Sequence, residues 1–319
     1  MIGIGGYAGR TDTGRKRRRN EDAYVVAPPL FAVADGMGGA QAGEVASKLA
    51  AAALSDTDSG ALSGPAKVTS LIQEANRRVH ARSNSDPATS GMGTTMTVAL
   101  VEGDAVTIGH VGDSRAYLVR DARLEQLTED HSLVNELLKS GKLSPEEAET
   151  HPQRSVITRA VGTDPDVDVD AFTVTTEAGD VFLLCSDGLT DMVDDEDILD
   201  AVERHRDDLD RVTKSLVSAA NRGGGEDNIT VVAFAIVADG DTATMPRPAV
   251  DDDTLAGHPA VDTMVVPADR IDDVLMDDSQ VRAVARREPI APAARVRLVL
   301  TMLGLLAVAV VLLVWGLLR

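Results

Sequence analysis

The chain has 319 residues with 31 basic and 51 acidic side chains, a formal charge of −20 at pH 7, and 44% apolar residues with only 3% aromatic. That length allows two domains or one large one, and the core must be built from Ala, Val, Leu and Ile. The negative balance argues against a general nucleic-acid binder, which needs a basic face to displace counterions, and a single Cys excludes an intramolecular disulfide framework and a cysteine-rich zinc site.

The opening MIGIGGYAGR lacks the basic-then-apolar run of a secretory signal. Leu30–Ala34 is a short apolar run ending in Asp35-Gly36. Ala42–Leu54 reads as an Ala-rich helix and Ala66–Arg82 as a second. Thr94–Val101, Ala105–Val111 and Arg115–Val119 read as successive strands, broken at Gly103-Asp104 and Gly112-Asp113. Ser132–Ser140 and Pro145–Thr150 read as helical, Asp168–Thr175 and Asp180–Leu184 as strands, Glu196–Arg204 and Leu209–Asn221 as helices, and Asn228–Val237 as a closing strand. Strands joined by short breaks pair antiparallel, and two helices follow one another directly. Residues 1–238 are therefore predicted to form one α+β domain, with sheets and helices segregated on their outer faces.

Beyond it the pattern stops. Asp239–Ala294 holds twelve acidic residues, five Arg, several Pro and no aromatic residue. Such a stretch cannot bury enough apolar surface to offset its ordering entropy, so 239–297 is predicted to be a disordered linker. Its Thr244, Thr254 and Thr263, in acidic surroundings, read as ordinary solvated polar sequence, with phosphorylation the alternative. Leu298–Leu318 is 21 residues without a charge, roughly 31 Å as a helix, close to the hydrocarbon thickness of a bilayer. It is predicted to be a transmembrane helix rather than a core helix, because it is apolar all round and the linker separates it from any core. Arg282, Arg286, Arg287, Arg295 and Arg297 precede it and only Arg319 follows. The positive-inside rule then places the large domain in the cytoplasm, on a single-pass tail anchor in the plasma membrane.

The informative carboxylates sit where an apolar strand ends against Gly. FAVADGMGG places Asp35 after a buried run, FLLCSDG places Asp187 likewise, GGGEDNITVV puts Asp227 before a Val-rich strand, and HVGDSRAYLV puts Asp113 between two strands; NED carries Glu21 and Asp22. An acid at the end of an apolar strand is costly unless something satisfies it, and a following Gly lets a ligand approach. Each Asp-Gly alone is also ordinary turn chemistry. Taken together, oxygen donors without His or Cys suit Mg²⁺ or Mn²⁺ rather than zinc. The basic run Arg15-Lys16-Arg17-Arg18-Arg19 directly precedes these acids. It is either a solvated face or address signal, or the source of one guanidinium turned inward to hold a phosphate beside the metal cluster. Cys185, in an apolar strand without an Arg six residues on, reads as core packing. Gly223-Gly224-Gly225 lacks the Lys-Ser/Thr of a P-loop, His131 and His151 read as polar loop or helix-edge residues, and Met92 and Met96 as core.

RRRNEDA, FAVADGMGG, GMGTT, GDSRAYL, TEDHSL, HPQRSVITRAVG, LLCSDGLTD and GGGEDNIT, in that order, resemble the metal-dependent serine/threonine protein phosphatases of the PP2C (PPM) type, and more narrowly their bacterial membrane-anchored members. The resemblance implies a β-sandwich of two antiparallel sheets flanked by helices. It implies a binuclear Mn²⁺ or Mg²⁺ centre held by Asp22, Asp35, Asp187 and Asp227, with Glu21 acting through water and Gly36 through its carbonyl, and a third ion at Asp113 and Asp187 completed by the Ser155 backbone. Arg17 falls where the family binds the substrate phosphate, and 132–160 matches the mobile flap. The implied reaction is hydrolysis of phosphoserine and phosphothreonine in proteins by a metal-bridging hydroxide, opposite Ser/Thr protein kinases. Met37 stands where animal members carry His as a suggested general acid.

Overall fold

A computed structural model describes residues 2–38, 42–57, 61–149 and 151–238. The predicted linker and transmembrane helix lie outside the described residues. Among the described residues no helix is long and apolar enough to cross a membrane.

The chain opens with β1 (Ile2–Asp12), then the hairpin β2 (Asp22–Ala27) and β3 (Leu30–Met37). Two helices follow, α1 (Ala42–Asp56) and α2 (Gly64–Ser85), the second with Pro65 in its first turn, where a missing N–H costs nothing. β4 (Gly93–Thr94), β5 (Met96–Glu102), β6 (Ala105–Val111), β7 (Arg115–Arg120) and β8 (Arg123–Gln126) come next, β5–β6 and β7–β8 as hairpins in different sheets. Short helices α3 (Leu133–Lys139) and α4 (Pro145–Glu149) occupy the predicted flap. β9 (Asp170–Thr175), β10 (Val181–Cys185), the single turn α5 (Asp187–Thr190), α6 (Asp195–Arg204), α7 (Leu209–Gly223) and β11 (Ile229–Ala238) complete the fold. The side chains of Asp194 and Asp208 cap α6 and α7 by accepting from Asp197 and Arg211 N–H.

All pairing between named strands is antiparallel, in two sheets ordered β1-β11-β10-β7-β8 and β2-β3-β5-β6-β9, with β4 added beside β3. β1 runs along β11 from Ile2 opposite Ala238 to Asp12 opposite Ile229. The sheets face each other across an apolar layer that takes in all four Phe of the chain: Phe31 stacks on Phe234 at 4.2 Å and Phe182 on Phe234 at 5.1 Å between ring centres, with Phe172 at the margin. The outer faces are covered by aliphatic layers, α1 and α2 over the second sheet and α6 and α7 over the first. The low aromatic content is thus concentrated where the two sheets meet, and Ala, Val and Leu pack the helices down. Cys185, Met92 and Met96 are fully buried, as core packing requires.

The elements read from the sequence are present within a few residues of their predicted ends. β1, β2, β8 and α5 were not among them.

Candidate metal centre

Strand register gathers the acids at one pole of the sandwich. Asp22 opens β2 directly across from Asp35 near the end of β3. Cys185, the end of β10, pairs with Val231 and Arg115, so Asp187, Asp227 and Asp113 sit at the same edge. The threonines of GMGTT fix Asp35 by its backbone: Thr94 Oγ1 and the Thr95 N–H donate to the Asp35 carbonyl at 2.7 and 2.8 Å, and the Asp35 N–H donates to Thr95 Oγ1 at 2.9 Å. Only glycines fit where β3 meets α1. A Cβ on Gly36 would lie 2.1 Å from the Gly43 carbonyl, and one on Gly43 would lie 2.6 Å from the Gly36 carbonyl and 2.8 Å from Glu21 Oε2.

Burial raises these carboxyls, and they raise one another. Asp35 is held well above the usual carboxylate range by burial and then by Asp22, Asp187, Asp113 and Asp227, so every predicted Asp ligand acts on it. Burial, then Asp113, Asp227, Asp191 and Asp22, hold Asp187 well up. Asp22 is pushed up to about 6 by burial, against the pull of Thr230 and Ser186. Asp113 is pushed up to about 6 by burial and Asp130, and Glu21 upward by burial.

One oxygen of Asp22 is fully engaged, Oδ2 accepting from Ser186 Oγ at 2.8 Å and Thr230 Oγ1 at 2.5 Å. Its Oδ1 is buried with no hydrogen-bond partner, and so is Asp187 Oδ1. A bare buried carboxylate oxygen calls for a proton or a cation, and a pocket of oxygen donors suits a hard divalent ion. Among the described residues no three acidic, His or Cys side chains close on one point as a finished shell. Asp227 is turned instead toward Arg17, whose Nη2 lies 2.6 Å from Asp227 Oδ2. The residues present fit cations held between few protein oxygens and water, with Arg17 compensating Asp227 beside them.

Beside this pole, Asp113, Ser155 and Asp187 line one cavity of about 640 Å³ under the flap, together with Asp191, Arg154 and Asp130. Asp191, which sequence reasoning did not single out as a site residue, is also raised by burial.

A family model for protein phosphatase 2C matches residues 14–223. The chain belongs to the protein phosphatase 2C family. The serine/threonine protein phosphatase PstP of Mycobacterium tuberculosis is 44% identical over 236 residues, covering 72% of this chain and 45% of PstP, so the chain spans less than half the length of that relative. The serine/threonine phosphatase stp of Listeria welshimeri is 43% identical over 234 residues, covering 70% of this chain and 92% of the relative. The crystal structure of the PstP catalytic domain in complex with two manganese ions superposes with a TM-score of 0.68 at 39% identity, over 75% of this chain and 100% of that one. The family match stops short of Asp227, whose place among the acids rests on the register of β11.

Sequence reasoning missed the polar residues that hold the acids of this PP2C centre. Asn228 donates from Nδ2 to the Thr13 and Arg19 carbonyls at 3.0 and 2.9 Å and accepts from the Glu21 N–H at 2.7 Å. His131, read as a loop or helix-edge residue, is buried: its Nδ1 accepts from the Gly112 N–H at 3.0 Å, its own N–H donates to the Gly112 carbonyl at 2.7 Å, and Nε2 faces Asp170 Oδ2 at 3.0 Å. The bond to Gly112 puts the proton on Nε2, and the ring braces the turn that carries Asp113.

Proposed function

We propose that the chain hydrolyses phosphoserine and phosphothreonine esters in proteins, at a centre of two divalent cations, Mn²⁺ or Mg²⁺, opposite Ser/Thr protein kinases. The observation that carries this reading is the gathering of Asp22, Asp35, Asp113, Asp187 and Asp227 at one pole of the sandwich by strand register, with Asp22 Oδ1 and Asp187 Oδ1 buried and bare. Asp22, Asp35, Asp187, Asp227 and the Gly36 carbonyl would hold the pair, Glu21 through water, and Asp113, Asp187 and the Ser155 backbone a third ion. Bound there, the cations would activate a water for attack at phosphorus and neutralise charge on its oxygens.

The chain's own residues orient and complement that chemistry. Ser186 and Thr230 fix Asp22 with Oδ1 turned free. Arg17 offers its guanidinium to the phosphoryl oxygens, where charge builds during transfer, and it pairs with Asp227. Met37 has no proton to give the leaving oxygen.

Leu298–Leu318 supports a further part of the reading, a tail anchor that holds the catalytic domain at the cytoplasmic face of the plasma membrane. The full-length chain with Mn²⁺ is expected to release phosphate from a phosphothreonine peptide and to stop with chelator; Asp187→Asn is expected to remove turnover. Silence with Mn²⁺ bound would overturn the enzymatic reading. Truncation before residue 298 is expected to release the protein from carbonate-washed membranes, and a truncated chain that still pellets would overturn the anchor.

A further inference from the structure

The basic run is more than the source of Arg17. Arg15, Lys16, Arg17, Arg18 and Arg19 are all exposed. Arg17 and Arg19 have carboxylate partners, in Asp227 and Glu44. The side chains of Arg15, Lys16 and Arg18 make no hydrogen bond or ion pair among the described residues. Three uncompensated cations within four residues are a local exception on a chain of net charge −20.

The loop that carries them is held in shape. Arg15 and Lys16 N–H both donate to the Gly225 carbonyl, at 2.7 and 3.2 Å. Asn228 ties Thr13 to Arg19 across its base. Gly14, at φ +74°, packs so closely that a Cβ would lie 2.2 Å from the Asp227 carbonyl. The same clamp therefore fixes the loop and borders the acid pole, and Arg17 reaches the acids from its middle. A loop already ordered loses little entropy on binding, and guanidinium groups match carboxylate and phosphate oxygens bidentately.

We infer that Arg15, Lys16 and Arg18 form a recognition surface for anionic side chains flanking the phosphorylated residue, selecting phosphoproteins whose target site carries neighbouring acidic residues or a second phosphate. This rests on the function proposed above. The molecule as a whole repels such substrates, and the loop reverses the sign where the phosphate enters. Backbone amides anchor the loop, so replacing the three side chains leaves its fold and Arg17 in place.

The experiment compares the full-length chain with the triple variant Arg15→Gln, Lys16→Gln, Arg18→Gln. Phosphothreonine peptides of one sequence carry neutral, Glu or non-hydrolysable phosphonate flanks, and anisotropy in chelator follows an all-phosphonate analogue. The wild type is expected to favour anionic flanks through KM. The variant is expected to lose about tenfold in kcat/KM on those peptides alone, with a parallel loss of phosphonate-peptide binding, and the preference is expected to fade at high salt. Equal rates of the wild type on all peptides, or equal loss by the variant on all of them, would overturn the inference while leaving the phosphatase reading intact. No hydrolysis of any peptide by the wild type would instead sink the phosphatase reading, and the anisotropy comparison would still decide whether the loop prefers anionic flanks.

Discussion

Thr230 and Ser186 show how single hydroxyls set the acid pole. Both donate to Asp22 Oδ2, from 208 and 164 residues away in sequence, and so leave Oδ1 bare. Thr230→Val is expected to weaken Mn²⁺ binding about 10–100-fold with the fold retained, as removal of an orienting partner does; titration calorimetry checks it. Asp35 carries the opposite lesson, because its neighbours penalise its charge. Its folded-state pKa is raised, so it contributes stability at low pH that is lost as pH rises. In chelator at pH 7.5, Asp35→Asn is therefore expected to melt higher than wild type, while its Mn²⁺-induced shift in Tm disappears and turnover falls about a thousandfold or more. At this scale the acids were legible, since each follows or precedes an apolar run beside Gly or a strand. Ser186, Asn228 and Thr230 lie inside the same motifs, but a hydroxyl or an amide declares its role only through a partner the linear sequence does not name.

Among elements, legibility followed how local the stabilising pattern is. α6 and α7 were readable because apolar residues recur on one face behind an Asp cap. β1, IGIGGYAGRTD, has four glycines and little strand character. It is ordered by pairing with β11, more than 200 residues away, including a register shift between Ile4 and Tyr7. β2 was hidden by the basic run before it and the prolines of its hairpin turn. The loop between β1 and β2 has its own keystone in Asn228. Asn228→Ala strips one acceptor and two donations from that loop, and is expected to cost about 2–4 kcal/mol. It is also expected to raise KM for phosphopeptides more than it lowers kcat, since Arg17 would lose its seat; denaturant melts and steady-state kinetics separate the two.

For the whole molecule, acid stability is set by opposing groups. His110 is buried with Nε2 facing the Glu129 carbonyl at 3.1 Å and its ring 4.7 Å from that of His131. Burial pushes it down to about 4, and His131 is lowered for the same reason. The unfolded chain binds these protons near pH 6.5 and the folded chain does not, so stability from His110 is present above 6.5 and is lost as pH falls toward 4, by about 3 kcal/mol. The raised carboxyls of Asp22, Asp35 and Asp187 act the other way. Mn²⁺ binding needs these carboxylates ionised, so with Mn²⁺ the Tm is expected to fall more steeply on acidification; in chelator, His110→Asn, though less stable at pH 7, is expected to lose less Tm than wild type between pH 6.5 and 4. The predicted linker and membrane span were drawn from composition and length, signals that need no packing partner to be read.

The pairing of β1 with β11 also sets where a tether would pull. β11 starts beside Asp227 and runs ten residues to Ala238, about 30 Å of extended backbone. The polypeptide thus departs from the far end of the sandwich, at the rim remote from the acids. A partner bound at Ala238 would therefore sit at the end of β11 opposite the acids, on the same rim as Ile2.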